Sequence, residues 1–155
     1  MAVTLRPPVL ADIGPIEALL NDSALPTEGV ADILRTSPRD FVVAEVDGAI
    51  VGVGGLEVTP DGALLRSVAV RPLLRSAGVG QQVVEELMAM ADRRLLHTFL
   101  LTTTADNWFP RFGFERVDRA AVPAAIGDTW EFKTGCSQTA TAMGRTPGTQ
   151  GPRTA

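Results

Sequence analysis

The chain has 155 residues, 45% hydrophobic and 21% charged, with 14 Lys+Arg against 18 Asp+Glu for a formal net charge of −4. This composition excludes wholesale disorder and argues against broad electrostatic binding to nucleic acid or an anionic membrane. The one cysteine, Cys136, excludes an internal disulfide framework, so a reducing compartment and a single core of ordinary size are expected.

In chain order, Val3-Thr4-Leu5-Arg6 alternates and is stopped by Pro7-Pro8, which reads as a first strand. Asp12 is a good helix N-cap, Pro15 falls in the first turn, and Ile13, Ile16, Leu19 and Leu20 form an apolar stripe ended by Asn21-Asp22-Ser23. Thr27-Glu28-Gly29 opens a weaker helix running to Leu34. Three β-rich runs follow, Phe41 to Val46, Ala49 to Val58 and Ala63 to Val70, separated by Asp47-Gly48 and Pro60-Asp61-Gly62 and predicting an antiparallel meander. A loop from Arg71 to Gly78 leads into a helix whose Val79, Val83, Leu87 and Met90 share one face. Beyond it come a buried strand at Phe99–Thr102, a short helix from Asp106 to Phe112 and a strand over Gly113–Val117. A helical turn at Val122–Ile126 and a last strand near Thr139–Met143 complete the domain, taken as residues 1–144. Residues 145–155, from Arg145 onward, read as a disordered tail. The opening MAVTLRPP lacks a signal peptide's apolar run and no segment is apolar enough to span a membrane, so the expected location is cytoplasmic.

The segment that carries chemistry is Val70-Arg71-Pro72-Leu73-Leu74-Arg75-Ser76-Ala77-Gly78-Val79-Gly80, between a strand and an amphipathic helix. Small residues there let backbone approach a ligand, and an opening helix offers unpaired N–H groups at its positive end. Such a turn binds phosphate oxygens, helped here by Arg75 and Arg71; the plainer alternative is a tight strand-to-helix connection. A P-loop would need Gly-Lys-Ser/Thr, whereas the only lysine is Lys133, and a Rossmann fingerprint would want a small residue where Val83 stands.

Arg75-x-x-Gly78-x-Gly80, preceded by Val70-x-Pro72 and followed by Phe112-Gly113-Phe114, resembles the acetyl-CoA signature of the GNAT N-acetyltransferases. The likeness covers residues 3–143. It implies an α/β GNAT fold, a mixed central sheet with flanking helices, and acetyl-CoA as co-substrate without a metal. It assigns the pyrophosphate to Arg75, Ser76, Ala77, Gly78, Val79 and Gly80, and the pantetheine arm to the strand Val68-Ala69-Val70. The stretches Leu25-Pro26-Thr27-Glu28-Gly29, Gly55-Leu56-Glu57-Val58, Leu64-Leu65-Arg66-Ser67, Leu101-Thr102-Thr103-Thr104-Ala105 and Ala120-Ala121-Val122-Pro123-Ala124-Ala125-Ile126 are similar to the arsenic-resistance N-acetyltransferase subgroup. That narrower likeness implies a small amine-bearing acceptor, an arsenic- or phosphorus-containing amino acid among the candidates. A homodimer is an assembly the resemblance allows.

Two family features are missing. The tyrosine that many relatives place four residues before the Gly-Phe pair is Phe109, in a chain with no tyrosine, and the family's asparagine is Thr102. A CoA thiolate, with a pKa of about 8.5, is a tolerable leaving group without a general acid. The position of the family's strand glutamate is Leu64. Glu57 is then a candidate base if the hairpin register turns it toward the site, and a solvated carboxylate if not. Glu28 is the second candidate, and Thr27, Arg66 and Thr102 are candidates for acceptor contacts. Arg66 is suited to gripping an acceptor carboxylate, or else forms an ion pair at the sheet rim. His97, the only histidine, is read as structural; Cys136 is either a small hydrophobe or a thiol beside a soft arsenic atom. A non-catalytic acyl-CoA-binding or sensing module is the alternative to an enzyme.

Overall fold

Prolines at 7 and 8 stop the first strand, β1 (Thr4–Arg6), and the chain then enters α1 (Ile13–Asp22) and α2 (Val30–Thr36). The meander follows as β2 (Phe41–Val46), β3 (Ala49–Thr59) and β4 (Gly62–Val70), then α3 (Val79–Arg93), β5 (Thr98–Thr102), β6 (Glu115–Arg116), α4 (Ala124–Gly127) and β7 (Thr141–Arg145). This computed structural model describes residues 2–135 and 138–152, so Cys136 and the last three positions of the expected tail lie outside the described residues. The chain divides into two compact units, Met1–Glu57 with Arg66–Leu87, and Val58–Leu65 with Met88–Ala155.

In the first unit the strand order is β1-β2-β3-β4, with β1 and β2 antiparallel (Leu5 opposite Ala44) and β2 and β3 antiparallel (Val43 opposite Val53). Because successive strand residues face opposite sides, Phe41, Val43 and Val53 meet Ile16, Leu19, Leu20, Val30 and Leu34 of α1 and α2 in one apolar cluster. The other face of β3 is a floor of glycine. A Cβ on Gly54 would lie 2.8 Å from Val83 Cγ1 and 2.9 Å from Leu87 Cδ1, and one on Gly52 would lie 2.9 Å from Val79 Cγ1. Only glycine lets α3 pack this close to the strand, and that contact fixes where the helix begins.

The second unit carries the order β4-β5-β7-β6. β5 pairs parallel with β4 at Ala63 and Leu64 only, whereas β5 with β7 and β6 with β7 are antiparallel, so the sheet is mixed as expected. Leu64, Leu101, Ile126, Phe132, Ala140 and Ala142 form its apolar cluster. His97 immediately precedes β5, and its carbonyl accepts the Ala63 N–H at 2.8 Å, a structural role.

Three expectations are corrected. Asp12 stands at the N-cap position, but its carboxylate does not cap α1; it accepts from Arg6 Nη1 and from the Val9 N–H, each at 2.7 Å. Asp12 already has helical backbone, φ −83° and ψ −11°, as the last residue of the 3-10 turn Leu10–Asp12, so its carboxylate serves the amide at the start of that turn and the Arg6 guanidinium. The helix over Asp106–Phe112 shrinks to a 3-10 turn, Phe109–Phe112, because Pro110 lacks an N–H. Arg145 does not open a tail. It ends β7, buried, donating to Asp92 at 2.8 and 3.1 Å, to Phe112 O at 2.7 Å and to Thr149 O at 2.7 Å, while the Gly148 N–H donates to Asp92 at 2.8 Å. From Arg145 onward the chain lacks apolar periodicity, yet hydrogen bonds from Arg145 and from the Gly148 N–H tie it to Asp92.

Candidate active site

The turn that the sequence offers for phosphate is built from the Arg66–Val70 end of β4, its loop and the start of α3, all in the first unit. Pro72 to Ala77 wind into a 3-10 turn, and Gly78, at φ +80° and ψ +11°, reverses the chain into α3. The left-handed region there favours glycine, and a Cβ would meet nothing within 4 Å, so the space beside Gly78 is open. The Gln82 N–H donates to Gly78 O at 3.1 Å, so the amides of Val79 and Gly80 precede the helix's first internal bond and point out of its end. Arg75, Ser76, Ala77 and Gly78 are exposed, Gly80 is half-buried, and Val79 is buried beneath them as the anchor on β3. Arg75 Nε donates to Val70 O at 3.2 Å, which folds the side chain back along the loop, and the Arg71 N–H donates to Val51 O at 2.9 Å. Amides at a helix start, an open glycine turn and an exposed arginine are groups that can hold an anion such as a diphosphate.

Upstream on β4 the backbone breaks pattern at Ser67, buried and at φ +61°. A non-glycine residue in the left-handed region within a strand marks a bulge, which re-aims the following backbone groups. Those groups belong to Val68, half-buried, and to Ala69 and Val70, buried, all beyond the last β4 residue in the parallel ladder. Ser67 was not among the residues singled out from sequence. The signal was the Arg66-Ser67 polar pair inside an otherwise apolar run.

Glu57 and Arg66 meet. The register turns them to the same face, with Arg66 Nη1 donating to Glu57 Oε1 at 2.7 Å; the Arg66 side chain is 3% exposed and that of Glu57 27%. Arg66 Nη2 donates to the backbone oxygen of Glu28 at 2.6 Å and Nε to Ser67 Oγ at 3.2 Å. Three of the five guanidinium N–H donors thus meet protein partners, so Arg66 forms the ion pair that was its second reading, but a buried one. Glu28 joins the cluster through its carbonyl, its side chain being exposed, and neighbouring Thr27 is half-buried with its carbonyl accepting the Val30 N–H at 3.1 Å.

Two other expected positions belong to the second unit. Thr102 ends β5, and its Oγ1 accepts the Ala105 N–H at 3.0 Å, closing the turn after the strand. Phe109, where relatives have tyrosine, is 8% exposed and packs edge-on to Trp108 and Phe114 at 4.9 and 5.8 Å between centroids, a core residue. Among the described residues, no group of three His, Cys, Asp or Glu could hold a metal ion, and no helix is long and apolar enough to cross a membrane.

A strand with a bulge, a glycine turn and the helix start it leads into, set in a mixed sheet with flanking helices, define an α/β domain of the acetyltransferase type. The chain belongs to the GNAT acetyltransferase family: the model described as "Acetyltransferase (GNAT) domain" matches residues 37–116. It is 28% identical to the amino-acid acetyltransferase of Pseudomonas fluorescens over 137 residues, 83% of this chain and 31% of that protein. It is 35% identical to the amino-acid acetyltransferase of Mycobacterium tuberculosis over 100 residues, 61% of this chain and 57% of that one. It therefore spans only about a third of the Pseudomonas relative's length. Among solved structures, Rv2747 of Mycobacterium tuberculosis, in complex with CoA, superposes with a TM-score of 0.77 at 26% identity, covering 92% of this chain and 98% of that one. N-acetylglutamate synthase of Neisseria gonorrhoeae, complexed with coenzyme A and N-acetyl-glutamate, gives 0.79 at 20% identity over 95% of this chain and 35% of that one, a likeness of fold.

Proposed function

We propose that this protein is an acetyl-CoA-dependent N-acetyltransferase whose acceptor is the amino group of a small amino acid. The observation that carries the reading is the pairing on one strand and its loop of the Ser67 bulge with the open amide row at Val79 and Gly80. The row would hold the diphosphate of CoA with Arg75, Ser76, Ala77 and Gly78, and Val68–Val70 would bind the pantetheine arm by backbone hydrogen bonds. A backbone N–H of Val68 or Ala69, re-aimed by the bulge, would polarise the thioester carbonyl, a preorganised dipole aimed at developing negative charge. The neutral amine nitrogen forms a bond to the carbonyl carbon, the C–S bond breaks with its electron pair leaving on sulfur as thiolate, and the remaining surplus proton on nitrogen passes to that thiolate, directly or through water, to give amide and free CoA thiol. Glu57, held by Arg66, is the carboxylate proposed to receive the ammonium proton directly or through one water.

The amino-acid acetyltransferases among the relatives support an acceptor bearing both amine and carboxylate. Within that class, arsenic- and phosphorus-containing amino acids are the acceptors that the narrower sequence likeness favours, and a cytoplasmic setting agrees with the single cysteine. The test is an acceptor panel of common amino acids, arsenic- and phosphinic-acid-bearing amino acids and their decarboxylated amines, with products identified by mass. Acetylation of an amino acid in preference to its decarboxylated counterpart is expected. Equal use of both would refute the amino-acid class.

A further inference from the structure

We propose that Arg66 is a positioning residue that locks the loop between α1 and α2 onto the β3–β4 hairpin, fixing the acceptor side of the site without touching either substrate. A guanidinium 3% exposed is tolerated only if its donors are matched, and here each of its three nitrogens has a partner from a different piece of chain. Glu57 is on β3, Ser67 is the bulge residue of β4, and Glu28 O is in the loop. The loop bends twice through left-handed backbone, at Ala24 (φ +55°) and Gly29 (φ +79°), and a Cβ on Gly29 would lie 3.7 Å from Arg66 Nη1. Its other backbone bonds are local: the Leu25 N–H donates to Leu20 O at 2.9 Å and the Val30 N–H to Thr27 O at 3.1 Å. Glu28 O is the loop carbonyl that reaches the sheet. Glu28 therefore acts here through its backbone, and its carboxylate is not what the anchor requires. By holding Ser67 Oγ as well, the same side chain ties loop position to the bulge. The link between this lock and the acceptor rests on the transferase reading above; the lock itself does not.

The experiment is hydrogen–deuterium exchange of the full chain, read on peptides spanning 23–31, in wild type, Arg66→Met, Arg66→Lys, Glu57→Gln and Glu28→Ala. Exchange of this loop is expected to rise about 10- to 100-fold in Arg66→Met, the range for losing a charge-assisted hydrogen bond, with a smaller rise in Arg66→Lys, which can keep one partner of three. Glu57→Gln keeps an acceptor for Nη1 and Glu28→Ala keeps the carbonyl, so both should exchange near wild type. Unchanged exchange in both Arg66 variants, or a rise in Glu28→Ala equal to theirs, would overturn the lock. Should Arg66→Met fail to fold, Arg66→Lys decides by the same readout. With L-glutamate, a phosphinic-acid amino acid and the decarboxylated amine of each as acceptors, Arg66→Lys should raise acceptor KM about tenfold while acetyl-CoA affinity stays fixed. The loss should be equal for acceptors with and without a carboxylate. A loss confined to anionic acceptors would mean Arg66 touches the acceptor and would overturn the positioning role. If no amine is acetylated by wild type, the transferase reading fails while the exchange result still decides the lock.

Discussion

Replacing Gly78 by aspartate puts a carboxylate where the loop would receive diphosphate. The site is open, with nothing within 4 Å of the added Cβ, so the substitution meets no wall. Its folding cost is instead the left-handed backbone at φ +80°, about 1–2 kcal/mol for a residue with a Cβ. That lowers Tm by roughly 2–8 °C in a chain of this size. The binding cost is electrostatic: two like charges ~5 Å apart at an effective dielectric of about 20 repel by about 3 kcal/mol, somewhat less where solvent reaches the loop. A net loss of about 2–3 kcal/mol corresponds to roughly 30- to 150-fold weaker acetyl-CoA binding. Calorimetric titration with acetyl-CoA measures it, with Gly78→Ala as the control that adds the same Cβ without charge and should lose much less. Wild-type affinity in Gly78→Asp would refute the assignment of the turn to phosphate.

Gly54→Ala should destabilise by about 1–3 kcal/mol in urea unfolding, because its Cβ would press on Val83 and Leu87 at under 3 Å. Arg145→Met should cost about 3–5 kcal/mol, since it strips a buried partner from Asp92 and donors from Phe112 O and Thr149 O. The carboxyls of Asp92 and Asp12 are held below the usual aspartate range, chiefly by hydrogen bonds from Arg145 and Arg6. Their depressed folded values mean that they stabilise the fold above the unfolded pKa near 3.9, and that this contribution disappears as pH falls through the folded values. Unfolding free energy should therefore fall on acidification below about pH 5, and less steeply in Asp92→Asn. Glu57→Gln keeps the shape of its pair with Arg66, so turnover should drop about 10²-fold with acetyl-CoA affinity unchanged if the carboxylate receives the proton.

The glycine turn before α3 was legible as structure because its signal is local: glycines, an arginine and an amphipathic helix are contiguous in sequence and fold as they read. The meander was legible for the same reason, since alternation and two tight turns set β2, β3 and β4. The Arg66 cluster was legible in half. Its opposition to Glu57 follows from the hairpin, but the Glu28 carbonyl arrives from 38 positions away, and no side-chain pattern marks a backbone acceptor. Ser67 showed only as half of a polar pair, since serine in a strand run does not announce a positive φ. Arg145 misled because its partner Asp92 lies on α3, 53 positions earlier, so a segment poor in apolar residues looked unanchored.

Acetyl transfer itself is tested most directly by mixing purified protein, acetyl-CoA and the best acceptor of the panel, and following free CoA thiol together with the mass of the acceptor. Thiol released in one-to-one proportion with N-acetylated product, abolished in Gly78→Asp, is the predicted result. Tight acetyl-CoA binding with thiol release no faster than in protein-free buffer, across the whole panel, would contradict it and leave an acyl-CoA-binding module in its place.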